Sequence, residues 1–104
     1  MKRIGLKPAY FPLVANGQKR STIRAGTKTD LVGPAMLVAG SHSIAIVIFE
    51  VVVKPYAALT EEDARLDGFV TLAELTAALK SFYPDLGPAD PVSILHFKPV
   101  NEAR

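Results

Sequence analysis

Eight consecutive residues, Gly17-Gln18-Lys19-Arg20-Ser21-Thr22-Ile23-Arg24, gather three cations and two hydroxyls. An amine, a hydroxyl and a guanidinium on one side of a short segment can bind an anion through charge-assisted hydrogen bonds or make a nucleophile of the hydroxyl. Spacing decides which of them meet. Gly17 stops the element before it, and the β-branched pair Thr22-Ile23 predicts a strand. Alternation along that strand puts Arg20, Thr22 and Arg24 on one face and Ser21 and Ile23 on the other. Lys19 falls at the bend, close enough in sequence to approach Thr22.

Two chemistries are open to such a cluster: anion binding, or nucleophilic attack by the hydroxyl, for instance on an acyl carbon. A threonine hydroxyl attacks an acyl carbon only when a neighbour takes its proton. Lys19 can take it if burial and the charge of Arg20 or Arg24 lower its pKa toward neutrality. Arg24 or a backbone N–H would stabilise the oxyanion. No metal or other cofactor is called for: the two histidines, His42 and His96, have no ligand spacing. The absence of cysteine excludes disulfides and thiolate ligands, and fits a reducing cytoplasm.

Each residue also has a plainer reading. Lys19-Arg20 serves equally as a solvated turn, and Thr22 as a good strand residue. Arg24 can pair with Glu50 or Asp67. Asp67 before Gly68 can end a helix through an Asx-type turn. Tyr83 can pack with its hydroxyl at a rim, or stack on a base. His96 alternates with Leu95 and Phe97 and reads as a residue of a partly buried edge.

The elements that must position these residues follow from periodicity. Arg3 to Leu6 reads as a short strand. Tyr10, Leu13 and Val14 recur at helical spacing between Pro8 and Gly17, with Pro12 admissible only in the first turn. Gly26 to Gly33 is polar and reads as a loop, Ala35 to Ala39 as a strand, and Gly40 to Ser43 as a turn. Ile44 to Val53 carries the strongest strand signal, and its nearly continuous apolar character predicts cover on both faces. Val51, Val52 and Val53 belong to the core on that view, with a dimer face as the alternative. Thr60 and Asp63 have capping-box spacing, which starts a short helix ending at Asp67-Gly68. Thr71 and Glu74 repeat the device. Leu72, Leu75, Ala78, Leu79 and Phe82 then line one helical face up to Tyr83-Pro84. Pro91 to Phe97 closes the chain as a strand. Strands, helices and a final strand together predict an α+β fold: a small, mostly antiparallel β-barrel with two to three flanking helices.

Bulk properties narrow the class. A chain of 104 residues, 49% apolar, with charges spread along it, suits one globular domain over 1–104 with one core. The longest apolar run is interrupted by Glu50 and is about half a membrane span, so no membrane segment is expected. No long apolar core follows Met1-Lys2-Arg3, which argues against a signal peptide. The net charge is only +2, but the first 30 residues hold seven lysines and arginines against Asp30 alone. A basic first third fits a phosphate-bearing partner, or simply a solvated basic surface.

Taken in order, these pieces resemble an ASCH domain, a PUA-like family. The resemblance rests on Gly17 to Arg24 as G-x-K-x-x-T-I-R, Leu59 to Ala64 as L-T-E-x-D-A, Asp67-Gly68-Phe69, Thr71 to Leu75, Tyr83-Pro84 and Ile94 to Phe97. It spans nearly the whole chain and implies a PUA-like barrel with a cleft beside it and nucleoside, nucleotide or RNA ligands. Some small bacterial members are amidohydrolases that remove the acetyl group of N4-acetylcytidine with a Lys, a Thr and a Glu. The resemblance places these roles on Lys19, Thr22 and Asp67, with Arg20, Arg24 and Tyr83 toward substrate or anion. Aspartate here is one methylene shorter than the family's glutamate, a loss of reach of about 1.5 Å.

Two function classes follow. One is a metal-independent amidohydrolase of an acylated nucleoside. The other is a non-catalytic PUA-like module that reads RNA or a nucleotide through Arg20, Arg24 and Lys28. A ribonuclease ranks third, because the chain lacks an obvious histidine pair.

Overall fold

The stretches richest in Val and Ile become the central strands of one sheet. The computed structural model describes residues 1–100. Its strands are β1 (Lys2–Gly5), β2 (Ser21–Ala25), β3 (Gly33–Ala39), β4 (His42–Pro55) and β5 (Pro91–Pro99), and its helices are α1 (Phe11–Ala15), α2 (Glu61–Leu66) and α3 (Leu72–Phe82). The five strands lie in the order β1-β3-β4-β5-β2. Only the β1–β3 pair is parallel; the other three pairings are antiparallel. The fold is α+β, with a curled half-barrel sheet. Its two edge strands, β1 and β2, are the first two in the chain, and the segment between them carries the Lys19 cluster.

Local chemistry sets the joints. β3 turns into β4 through Gly40-Ser41, with Gly40 at φ +62°, where a tight hairpin needs a positive φ. The hairpin therefore starts β4 at His42, two residues earlier than periodicity suggests. Pro8–Tyr10 forms a 3₁₀ turn that leads into α1, whose first turn accepts Pro12. Thr60 accepts a hydrogen bond from the Asp63 N–H, and the Thr60 N–H donates to the Asp63 carboxylate, completing the capping box. Lys54 pairs with the same carboxylate at 2.8 Å and so ties β4 to the start of α2. Burial, the largest single influence, pushes the Asp63 carboxyl up, but Lys54 and the hydrogen bonds from Thr60 together hold it below its ordinary value. The second cap differs in detail. Thr71 accepts from the Glu74 N–H, but the Glu74 carboxylate reaches past it to the N–H of Val70.

Two apolar clusters flank the sheet. Leu95 and Phe97 of β5 join Ile4, Leu37 and Ile48 on one face. Val92 and Ile94 join Ile23, Ala64, Leu75 and Leu79 beneath α2 and α3 on the other. The strand covered on both faces is thus β5 rather than β4. Val51 and Val52 of β4 pack on the two clusters, but Val53 and Phe49 reach solvent. The reason is position: β5 sits between β4 and β2 directly under the helices, whereas β4 runs for 14 residues and outgrows them. No helix among the described residues is long and apolar enough to cross a membrane.

Candidate functional site

Backbone hydrogen bonds deliver Lys19 to Asp67. The Lys19 N–H donates to the Leu13 carbonyl of α1 at 2.9 Å, and the Arg20 N–H to the Leu66 carbonyl at the end of α2 at 2.7 Å. The Arg20 carbonyl accepts from Phe97 of β5 at 3.1 Å. This short segment is therefore fixed between two helices and a strand before β2 begins. The end of α2 meets it at Gly68, which sits at φ +96°. A Cβ there would lie 3.3 Å from Leu13 Cδ1 and 3.4 Å from Lys19 Cβ. Glycine thus permits both the left-handed conformation and the close approach. That approach brings the Asp67 carboxylate into contact with the Lys19 amine.

The Lys19 ammonium forms an ion pair with the Asp67 carboxylate and also donates to the Asp67 backbone carbonyl at 3.0 Å. Both side chains are buried, at 4% and 6% exposure. The ammonium also lies 5.5 Å from the centre of the Tyr10 ring. Burial is the largest influence on both groups and penalises both charges. It draws the Lys19 amine down, with the Arg24 charge assisting and Asp67 opposing. It pushes the Asp67 carboxyl up to about 6, against the pull of Lys19 and then Arg24. Both shifts act the same way: they bring the uncharged amine-plus-acid form closer in free energy to the ion pair than it is in water.

Thr22 is also buried, at 4% exposure, and lines the same cleft as the pair. Its Oγ1 accepts from Arg24 Nε at 3.2 Å and Nη2 at 3.1 Å. The same Nη2 donates to the Gly5 carbonyl, so the guanidinium bridges the two edge strands of the half-barrel. Arg24 thus pairs with neither Glu50 nor Asp67. With its oxygen accepting from a cation, the Thr22 hydroxyl keeps its own proton for another partner, and any alkoxide would form next to positive charge.

These groups open onto a cleft of about 540 Å³ between β1, β2 and α3, lined by Lys19, Thr22, Arg24, Asp67 and Tyr83. Five of the six site residues expected from sequence therefore share one cavity. Arg20 does not line it. Its Nε bonds back to the Gly17 carbonyl at 3.2 Å, and its side chain lines a separate hollow beside Phe49 and His96. The bend before β2 breaks the alternation on which the sequence argument for Arg20 relied. Lys28 shares a third hollow with Arg24, so the three cations do not form one patch.

The cleft also has aromatic walls, which periodicity does not announce. Tyr10 and Phe69 meet edge to face at 6.0 Å within the cleft. Phe82 continues the α3 stripe in sequence but is 46% exposed at the cleft, with the Lys7 ammonium 5.4 Å from its ring centre. The helix ends there, so its last stripe residue has no sheet beneath it. The signal available was the position of Phe82 directly before Tyr83-Pro84. The histidines stay apart: His42 stacks on Phe11 at 4.9 Å and His96 stands 6.2 Å from Phe49. Among the described residues no cluster could hold a metal ion.

No protein-family model and no curated protein matches the sequence. Solved structures do. An ASCH domain from Lactobacillus crispatus JV V101 superposes with a TM-score of 0.78 at 19% identity, covering 95% of this chain and 80% of that one. The fold is that of an ASCH domain. A protein from Enterococcus faecalis V583 shares it with a TM-score of 0.71 at 19% identity, over 85% of this chain and 64% of its own. A third structure, a hypothetical protein, matches with a TM-score of 0.69 at 17% identity, over 96% of this chain and 100% of its own. At these identities the likeness is one of architecture. The ASCH fold fits the half-barrel and the cleft beside it; the chemistry must be argued from the residues.

Proposed function

We propose that this chain is a member of the ASCH family that hydrolyses the amide of an acylated nucleoside such as N4-acetylcytidine. The observation that carries the reading is the buried Lys19–Asp67 pair sharing one cleft with a Thr22 hydroxyl whose oxygen is held by Arg24. In this reading, Thr22 Oγ1 attacks the acyl carbon and its proton passes to the neutral amine of Lys19, while Asp67 holds the pair's other proton. The C–N bond then breaks, and the departing exocyclic amine takes the proton from Lys19. An acyl ester remains on Thr22. Water attacks that ester with Lys19 again accepting a proton, releasing the carboxylic acid and restoring the hydroxyl. The aromatic walls formed by Tyr10, Phe69 and Tyr83 suit a nucleobase.

The test is incubation of the purified protein with N4-acetylcytidine, following cytidine by chromatography, with Lys19→Ala in parallel. Release by the wild type alone supports the reading. No release by either leaves nucleotide binding as the role of the cleft. One observation favours that second reading: the hydrogen bonds of Lys19 go to Asp67 and those of Thr22 come from Arg24, with none between Lys19 and Thr22.

A pH profile adds a second check. Below about pH 6, where the raised Asp67 carboxyl takes up a proton, the pair holds two protons and offers no base. As pH rises through this value, one proton leaves and the shared base appears. kcat/KM is therefore expected to fall tenfold per pH unit on the acid side of an apparent pKa near 6 that belongs to the pair. A profile that is flat from neutral pH down to the ordinary aspartate value would remove the pair from the mechanism.

A further inference from the structure

Lys19 is the one buried lysine among the described residues, and it lines the cleft. Its ammonium donates to the carboxylate and to the backbone carbonyl of Asp67, and it makes no hydrogen bond to Thr22. An amine held by an acid, and not by a hydroxyl that it could deprotonate, is placed to act as a nucleophile itself. Amines attack carbonyl carbons when neutral, and an apolar site that disfavours the charge makes a lysine reactive. Burial does this here, with the Arg24 charge assisting and Asp67 opposing. The Asp67 carboxyl, raised to about 6, is suited to take the proton that the amine gives up. The surroundings are apolar: the rings of Tyr10, Phe69, Phe82 and Tyr83 line the cleft, together with Leu75 and Leu79.

We infer that Lys19 is a covalent capture site for aromatic aldehydes, which it binds as an imine. The ammonium first passes one proton to the Asp67 carboxylate. The neutral amine then attacks the carbonyl carbon, and the carbonyl oxygen takes the proton from Asp67. The nitrogen returns a proton to Asp67. In the last step the C–O bond breaks, the hydroxyl leaves as water with that proton, and the nitrogen lone pair closes the C=N bond. One ammonium and one aldehyde are consumed; one protonated imine and one water are formed. Charge is conserved, so the protonated imine takes the place of the ammonium against the Asp67 carboxylate and near the Tyr10 ring, 5.5 Å away. The site thus has no new charge to desolvate. The rings select a flat aromatic substituent, on which they stack. The carbonyl carbon of an aldehyde carries only a hydrogen on its second side, which lets it reach an amine at 4% exposure. The inference goes beyond the amide chemistry proposed above: here the amine forms the bond, and Thr22 has no part in forming it.

The test is reductive trapping. The full chain is incubated at neutral pH with benzaldehyde and sodium cyanoborohydride, and the benzylated lysines are located by peptide mass spectrometry. Lys19 is expected to take the label at least about tenfold faster than any exposed lysine, the gain in neutral amine for each unit by which a pKa falls. Propanal, which has no ring, should label Lys19 more slowly than benzaldehyde does, with the surface lysines as the internal reference. Lys19→Arg keeps a cation for Asp67 and should lose this one label while the others persist. Benzyl alcohol occupies the aromatic walls without offering a carbonyl. It should slow labelling of Lys19 in the wild type and leave the surface lysines unchanged, so the result does not hang on a variant that folds. Label confined to the exposed lysines would overturn the inference, and so would a Lys19 that takes both aldehydes equally well. Cytidine release from N4-acetylcytidine is measured in a separate sample. Labelling without release supports capture and counts against the amide reading; release without labelling does the reverse.

Discussion

Thr22→Val is expected to lower kcat/KM toward N4-acetylcytidine by about four orders of magnitude or more while the protein stays folded. Valine keeps the branched shape that suits β2 and fills the same buried space, so the strand and its pairing with β5 persist. What disappears is the attacking oxygen. Arg24 loses the acceptor of two of its hydrogen bonds but keeps the Gly5 carbonyl, and its side chain is only partly buried, so water can satisfy the freed donors. The stability cost is therefore about 1 kcal/mol. Thr22→Ser provides the matching control, because it restores a hydroxyl at the same position. Parallel kinetics and thermal melts of the three proteins decide the matter. Activity surviving in Thr22→Val would exclude Thr22 as nucleophile.

The sequence exposed the fold to the extent that the fold is local. Capping at Thr60 and Thr71 and Pro12 in a first turn all act over a few residues, and they place the helices. Lys19, Thr22 and Arg24 were legible for the same reason: they lie within six residues on a bend and a strand. Asp67 became a candidate only through the resemblance, because a separation of 48 residues is bridged by tertiary hydrogen bonds at Leu13 and Leu66 that no periodicity announces. Arg20 was misplaced by extending strand alternation across a bend where the chain is held by other partners. Phe49 was hidden for a related reason: Ile48 faces Phe97 and Glu50 faces His96, so Phe49 is an extra residue with no partner on β5. A bulge is a disagreement in length between two paired strands, and neither strand shows it alone.

The Lys19–Asp67 pair sets chemistry against stability, and a double-mutant cycle separates the two. Both members are buried, so removing one leaves the other in a low-dielectric site without its partner. Asp67→Leu is expected to destabilise the protein by about 3–5 kcal/mol. Lys19→Met differs in its pH dependence. The Asp67 carboxyl already titrates near 6 with its cation present, above its ordinary 3.8, and without that cation it rises further. A carboxyl whose folded pKa exceeds the unfolded one contributes stability that is fully present below the unfolded value and is lost as pH rises through the folded value. Lys19→Met should therefore lie close to wild type in acid and fall away from it above pH 6. Lys19→Met/Asp67→Leu removes both charges and fills the space with apolar atoms, which elsewhere is neutral or stabilising by about 1–4 kcal/mol. It should melt at or above the wild-type temperature and hydrolyse nothing. Denaturant unfolding of the four proteins at two pH values reads out every corner of the cycle. A double variant as unstable as either single one would mean that the pair is retained for folding. Recovery of stability with complete loss of turnover would mean that this fold keeps a costly buried pair for the proton that the two groups share.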